Sequence, residues 1–133
     1  MNNLELFLAA TRPKEWIKNT FLFAPLFFAQ KVLQPEAVLK STLAFAVFCL
    51  AAGAVYLIND ICDREEDKKH PQKRARPIAS GALPVSLAVA AAIFLFATSV
   101  AVAIALSWRF AFITLTYVIL NIAYSNWLKH VVI

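Results

Sequence analysis

Long uncharged stretches alternate with short charged segments along this chain. Ala37–Ile58 carries a single charge near its start, and Leu83–Ser107 and Phe110–Asn126 carry none. A helix that crosses the hydrocarbon core of a bilayer needs about 20 mainly apolar residues, and each stretch approaches or exceeds that length. The pattern therefore predicts three spanning helices, which cover residues 37–59, 83–107 and 108–126.

A fourth span is predicted before these three, although its apolar part is shorter. Thr11 and Pro13 are typical of a helix start, since proline is tolerated in a first turn. A helix over residues 13–29 would rise about 25 Å, with a kink at Pro25. The alternative is a secretory signal, but the residues before Arg12 include an acid and no base, which is wrong for one.

The predicted fold class is all-α, a polytopic membrane helix bundle. Hydrophobic residues make up 61% of the 133 residues, whereas soluble domains are about half apolar. We therefore expect a single transmembrane domain over residues 1–133, with about four spanning helices and a charged loop over residues 60–82.

The positive charges fall on one side of this predicted topology. Because cytoplasmic loops are enriched in lysine and arginine, the bases place loop 60–82 and both termini in the cytoplasm. The net charge of +5 suits anionic headgroups or a phosphate-bearing ligand, and it gives no reason to expect nucleic acid. The bases on the cytoplasmic side are Arg12, Lys14, Lys18, Arg64, Lys68, Lys69, Lys73, Arg74, Arg76 and Lys129; those opposite are Lys31, Lys40 and Arg109.

Acidic residues gather where the second predicted span ends. On a helix that continues out of the span, Asn59, Asp60, Asp63 and Asp67 would fall within an arc of about 100°. Three carboxylates that close repel one another, so a cation should lie among them. Hard oxygen donors favour Mg²⁺, which usually binds through one or two carboxylates and substrate phosphates. The cluster is then half of a site that a phosphorylated ligand completes.

A simpler interpretation of this segment stays open. An acidic run followed by a basic run is also typical of a solvated loop whose charges neutralise one another. The bases Lys73, Arg74 and Arg76 could grip phosphate oxygens, or could only hold the loop in the cytoplasm. Lys18, together with Asn19, could reach the acidic residues at the end of the second predicted span. Alternatively, Lys18 could only extend its ammonium group to the membrane surface.

Two sets of motifs give a family resemblance. Asn59-Asp60-x-x-Asp63-x-x-x-Asp67, followed by the sequence "RPIASG" at residues 76–81, resembles the first aspartate-rich motif of the UbiA superfamily of intramembrane prenyltransferases. "RPKEWIKN" at residues 12–19, "APLFFA" at 24–29 and "YSNWLK" at 124–129 are similar to decaprenyl-phosphate phosphoribosyltransferases within that superfamily. The members typically have about nine spanning helices and a second aspartate-rich motif. The resemblance therefore implies an N-terminal part of a UbiA-type bundle, inactive by itself.

The resemblance also implies an activity, a metal and a location. It implies transfer of 5-phosphoribose from phosphoribosyl diphosphate to a polyprenyl phosphate, with release of diphosphate, in a bacterial-type inner membrane as part of cell-wall synthesis. The alternative within the family moves a prenyl group from a prenyl diphosphate to an aromatic or quinone-precursor acceptor. The alternative of another class is a non-catalytic membrane scaffold or transporter subunit.

Individual residues receive roles from the same resemblance. Asp60 and Asp63 are the expected catalytic residues, and they bind Mg²⁺ together with Asp67. The expected substrate-binding residues are Lys18, Asn19, Asn59, Arg76 and Lys129.

Overall fold

The computed structural model describes residues 2–125, in which helices follow one another and no strand occurs. The predicted all-α fold is therefore confirmed. The α-helices are α1 (Asn3–Ala10), α2 (Ala24–Phe28), α3 (Pro35–Cys62), α4 (Arg64–Lys69), α5 (Val85–Leu106) and α6 (Trp108–Ala123), and two 3-10 helices cover Pro13–Phe23 and Lys73–Ala75.

The helices α3 and α5 lie where the hydrophobic pattern predicts them. Within residues 2–125, these two are the helices long and apolar enough to cross a membrane, with 28 and 22 residues. The third apolar helix, α6, has 16 residues and rises about 24 Å. Ser107 separates α5 from α6, and its hydroxyl accepts a hydrogen bond from the Arg109 backbone N–H at 3.2 Å.

Small side chains bring the long helices together. α3 lies at the centre of the bundle and packs most extensively against α5, and also against the Pro13–Phe23 helix and α6. Small residues at such interfaces let helix backbones approach closely, which favours association in a membrane. The buried small residues are Ala51, Ala52, Gly53 and Ala54 on α3, and Ala88, Ala92, Ser99 and Ala103 on α5.

The segment predicted as one α-helix over residues 13–29 has a different structure. It consists of the 3-10 helix Pro13–Phe23 and the short α-helix α2. Pro25 lies in the first turn of α2, where its missing N–H is tolerated, so the proline starts a new helix instead of kinking a continuous one.

The helix α1 was not predicted from the sequence. Its first turn is held by a capping box, in which Asn2 Oδ1 accepts from the Glu5 N–H at 2.9 Å and the Glu5 carboxylate accepts from the Asn2 N–H at 3.2 Å. Leu6 and Ala10 are buried and pack in a core cluster with Leu57 of α3. The capping-box pattern is visible in the opening residues "NNLE".

The predicted loop 60–82 contains helical structure. α3 continues to Cys62, and α4 begins after Asp63, whose φ of −90° and ψ of 4° lie outside the α region. The expected continuous helix through the acidic residues is therefore interrupted at Asp63. Backbone hydrogen bonds still bridge the interruption, from the Asp63 N–H to Asn59 O and from the Asp67 N–H to Asp63 O.

Candidate active site at the end of α3

Asp60 is a buried carboxylate in the last turn of α3. Only 2% of the residue is exposed, and its Oδ1 lies 2.8 Å from Arg12 Nη2 and 3.4 Å from Arg76 Nη1. A carboxylate removed from water is costly unless cations and hydrogen bonds compensate it. The two guanidinium groups supply that compensation from segments far apart in the sequence.

Asp67 joins the same arrangement from α4. It is 3% exposed, and its Oδ2 lies 3.1 Å from Arg76 Nη1. One guanidinium nitrogen therefore contacts the carboxylates of both Asp60 and Asp67. We call Arg12, Asp60, Asp67 and Arg76 the Asp60 cluster; it holds two positive and two negative charges.

The turn that follows Arg76 fixes its position. The Ser80 N–H donates to Arg76 O at 2.8 Å, and Gly81 has a φ of +83°, a conformation that favours glycine. Ile78 is fully buried and packs with Leu57 and other residues in the core cluster beside α1. Residues 77–81 form a turn, and the buried Ile78 anchors it against the bundle.

Thr11 and Arg12 connect α1 to the Pro13–Phe23 helix, and we call these two residues the joint. The φ of 52° and ψ of 68° at Arg12 are left-handed, which costs a non-glycine residue of order 1 kcal/mol unless its surroundings hold it there. The guanidinium lies 4.7 Å from the ring centroid of Tyr56, a cation–π contact. This contact and the ion pair with Asp60 both hold the Arg12 side chain against α3.

The Thr11 side chain lies close to the α3 backbone at Gly53, and this contact places the joint. A Cβ added at Gly53 would lie 3.3 Å from Cβ and Cγ2 of Thr11, so the glycine leaves the space that Thr11 occupies. The Trp16 indole N–H donates to Thr11 O at 3.0 Å. Gly53, Tyr56 and Asp60 share one side of α3, and the joint lies along that side.

The described residues bring together fewer acids than the sequence predicted. Within residues 2–125, no group of three or more His, Cys, Asp or Glu side chains is close enough to hold a metal ion. The cluster joins two of the three predicted aspartates, Asp60 and Asp67, while Asp63 lies at the break between α3 and α4. The role of Asp63 as a metal ligand stays a prediction.

The donors in and beside the cluster nevertheless fit Mg²⁺. Two carboxylates and an amide oxygen are the hard ligands that this ion prefers, and phosphate oxygens usually complete its coordination. Asn59 Oδ1 is buried and accepts no hydrogen bond from the described residues. This unsatisfied oxygen, on the residue that precedes Asp60 in α3, is the structural observation that favours a bound cation.

Two predicted substrate-binding residues form their contacts with residues outside the cluster. Lys18 is exposed and forms an ion pair with Glu15. Asn19 is buried, and its amide group donates to Cys49 Sγ at 3.7 Å, about three helical turns or ~16 Å before Asp60 along α3. Their roles stay predictions, and Lys129 lies outside the described residues.

Arg12 is the cluster residue that sequence reasoning missed. It was assigned only a topological role among the cytoplasmic bases, whereas the structure pairs it with Asp60, 48 residues later. The local signal was its position before Pro13, because a residue preceding proline disfavours the α conformation and marks a break in the chain. No sequence pattern indicated which acid the arginine would meet.

Comparison with known proteins places this arrangement in a family. The sequence profile of the UbiA prenyltransferase family matches residues 19–133. The chain is 41% identical over 125 residues to a decaprenyl-phosphate phosphoribosyltransferase of Mycobacterium tuberculosis, covering 91% of this chain and 41% of the relative. It is 38% identical over 127 residues to the protein of that name from Mycolicibacterium smegmatis, covering 92% of this chain and 40% of the relative.

A third relative matches a shorter part. The decaprenyl-phosphate phosphoribosyltransferase of Corynebacterium glutamicum is 47% identical over 83 residues, which is 61% of this chain and 25% of the relative. The chain thus spans at most about two fifths of the length of these three relatives. The profile match covers most of the sequence and includes α3, α4 and the turn that holds Arg76, so the chain is an integral membrane protein that belongs to the UbiA prenyltransferase family.

Proposed function

We propose that this chain forms part of the active site of a transferase that moves 5-phosphoribose from phosphoribosyl diphosphate to a polyprenyl phosphate. The observation that carries the proposal is the buried Asp60 cluster at the end of an apolar helix. Charges at such a position are costly and tend to be functional. The names of the relatives favour the phosphoribosyl reaction over other reactions of the family.

Asp60, Asp67 and the buried amide oxygen of Asn59 are the groups that would hold Mg²⁺ in this site. The sequence prediction adds Asp63 to that set. A bound Mg²⁺ offsets the negative charge that develops on a leaving diphosphate. Asp60 and Asp67 would hold their carboxylates in place for this task because both are fixed by Arg76.

Arg76 is the best-placed candidate for a contact with phosphate oxygens. Its side chain is 30% exposed, so part of it remains accessible to a ligand. Arginine binds phosphate through a planar fork of N–H donors. Lys18 and Lys129 are the further phosphate contacts that we propose.

In the proposed reaction the bond between C1 of the ribose and a diphosphate oxygen breaks. A phosphate oxygen of the polyprenyl phosphate forms the new bond to C1, and diphosphate leaves. Because the acceptor is already an anion, the reaction needs no strong general base. The preorganised charges of the site stabilise the charge that builds on the departing group.

An apolar cavity beside the cluster suits the isoprenoid part of the acceptor. It measures about 290 Å³ and is lined by residues of α1, α3 and α5 and by Thr11, which precedes Arg12. We propose that the lipid tail lies against these surfaces while its phosphate reaches the Asp60 cluster. The lining residues include Leu4, Phe7, Leu50, Phe94 and Leu95.

The distribution of bases supports a cytoplasmic position for the cluster. The segment between α3 and α5 carries six lysine and arginine residues, whereas the connection between α5 and α6 has one base beside it, Arg109. By the positive-inside rule, we propose that α4 and Arg76 face the cytoplasm of a bacterial inner membrane.

The proposed reaction can be tested with the complete protein as encoded in its genome, reconstituted in lipid nanodiscs. Radiolabelled phosphoribosyl diphosphate should transfer its label into lipid when polyprenyl phosphate and Mg²⁺ are present. The matched reaction supplies a prenyl diphosphate and an aromatic acid. Turnover in the second mixture and none in the first would establish the alternative reaction of the family, and turnover in neither would favour the scaffold or transporter alternative.

A further inference from the structure

Two arginines contact the same oxygen of Asp60, but they are held differently. Arg76 also contacts Asp67, and the turn anchored by Ile78 fixes its backbone. Arg12 pairs with Asp60 alone among the ion pairs of residues 2–125, although its distance of 2.8 Å is the shorter of the two. Displacing Arg12 from Asp60 therefore breaks fewer contacts than displacing Arg76 would.

The backbone at Arg12 depends on what its side chain contacts. A left-handed φ of 52° is unfavourable for arginine, and such a conformation persists when surrounding contacts determine it. The side-chain contacts of Arg12 are the Asp60 carboxylate and the Tyr56 ring, and its backbone also forms hydrogen bonds with Ala9 O and the Glu15 N–H. If the carboxylate is taken by another cation, the backbone loses the stronger of the two side-chain constraints.

We propose that Arg12 is a positioning residue: it holds Asp60 until a divalent cation with diphosphate arrives, and its release then loosens the joint between α1 and the Pro13–Phe23 helix. The inference rests on the proposed function, because it needs a cation at Asp60. A guanidinium and a divalent ion at one carboxylate oxygen repel each other, so binding of the ion favours departure of Arg12. Through this exchange, α1 would respond to the loading of the site.

The first test compares Mg²⁺ affinities in the complete protein in nanodiscs of zwitterionic lipid, by titration calorimetry without diphosphate. Arg12→Gln should bind Mg²⁺ about tenfold more tightly than the wild type, since a competing positive charge is removed. Arg12→Asn should give the same increase with an intact joint, because asparagine tolerates the left-handed conformation. Lys14→Gln removes an exposed charge two residues away and should leave the affinity unchanged.

The second test follows the joint itself by hydrogen–deuterium exchange. The backbone N–H groups of Thr11 and Arg12 donate to Phe7 O and Ala9 O, so loosening should expose them. Adding Mg²⁺ and inorganic diphosphate to the wild type should speed exchange in residues 9–12 several-fold and leave the middle of α5 unchanged. In Arg12→Gln the exchange of residues 9–12 should be fast before any addition.

The outcomes separate this inference from the function on which it rests. If neither wild type nor variants bind Mg²⁺ with diphosphate, the proposed function fails and the inference fails with it. If the wild type binds but Arg12→Gln and Arg12→Asn show unchanged or weaker Mg²⁺ affinity, the positioning role alone is wrong. Weaker diphosphate binding at unchanged Mg²⁺ affinity would make Arg12 a phosphate contact and also overturn it.

Discussion

The two faces of α4 carry the same kind of charge in opposite surroundings. Asp67 has a side chain 5% exposed and contacts Arg76, whereas the Glu65 side chain is 74% exposed and contacts Lys68 at 3.2 Å. Solvent-exposed ion pairs contribute little to stability, but breaking a buried one leaves an uncompensated charge. The acidic run is therefore two separate surfaces, and only the buried one is joined to the bundle.

The two interpretations that the sequence left open apply to different sides of this segment. A solvated loop whose charges neutralise one another describes the exposed residues Glu65, Glu66, Lys68 and Lys69. The interpretation as a binding site applies to Asp60 and Asp67, which are buried and contact the same arginine. The solvated-loop interpretation therefore fits the exposed side of the segment, and the magnesium-site interpretation of the buried side stays a prediction.

The largest effect should come from removing the buried charge of Asp60. Asp60→Asn keeps the shape but leaves two half-buried guanidinium groups without their common carboxylate. We expect transfer activity to fall at least about 100-fold and stability to fall by about 3 kcal/mol, measured by label transfer and by thermal unfolding in nanodiscs.

The matched control for Asp60 is an acid on the exposed face. Glu65→Gln removes one negative charge from a surface ion pair and should leave both activity and melting temperature nearly unchanged. Equal losses in the two variants would show that total charge matters and that the buried position does not.

The next effect should come from Arg76, because it is shared by two carboxylates. Arg76→Gln leaves Asp60 and Asp67 close together with less positive charge between them, so transfer activity should fall about tenfold to 100-fold. The measurement is the KM for phosphoribosyl diphosphate together with kcat. Arg74→Gln alters an exposed base in the same segment and should have little effect, whereas a loss as large as that of Arg76→Gln would contradict the special role of Arg76.

A smaller effect should follow when the anchor of Arg76 is shortened. Ile78 is fully buried, and Ile78→Ala creates a cavity that should lower the free energy of unfolding by about 2–4 kcal/mol. The affinity for phosphoribosyl diphosphate should weaken as Arg76 loses its fixed position. Ile93→Ala removes the same side chain at a position 63% exposed, and a similar loss there would mean that the turn does not hold the site.

The smallest effect should come from Gly53, where the joint approaches α3. Gly53→Ala adds a Cβ at 3.3 Å from Thr11, so the joint must shift by a few tenths of an ångström. We expect a loss of about 1 kcal/mol or less in stability and a modest fall in activity. Adding Thr11→Ser, which removes the Cγ2 in contact, should recover part of the loss; no recovery would mean that the close approach is unimportant.

Much of the fold followed from hydrophobic patterning. The helices α3, α5 and α6 overlap the predicted segments because their sequences have long apolar runs and clear ends at Pro35, Pro84 and Ser107. The predicted single helix over residues 13–29 was wrong in its detail, because a new helix, α2, begins at Ala24 with Pro25 in its first turn. Hydrophobic patterning indicates which segments are apolar and how long they are. It does not indicate that a short segment consists of a 3-10 helix followed by an α-helix.

The site was predicted only in part for a related reason. Spacing along one helix suggested that the aspartates share a side, and Asp60 and Asp67 do meet, but through Arg76 and across a break at Asp63. The approach of Arg12 depends on the space at Gly53 and on the packing of α1. Such contacts between distant segments leave no periodic signal in one sequence.

We propose that the buried carboxylates at the end of α3 bind a divalent ion together with a diphosphate group. Calorimetric titration of the complete protein with phosphoribosyl diphosphate, with and without Mg²⁺, tests it most directly. We predict tight binding with Mg²⁺, at least about 100-fold weaker binding without it, and loss of the Mg²⁺ effect in Asp60→Asn. Equal affinity with and without Mg²⁺ in the wild type would mean that these carboxylates hold no ion for the diphosphate group.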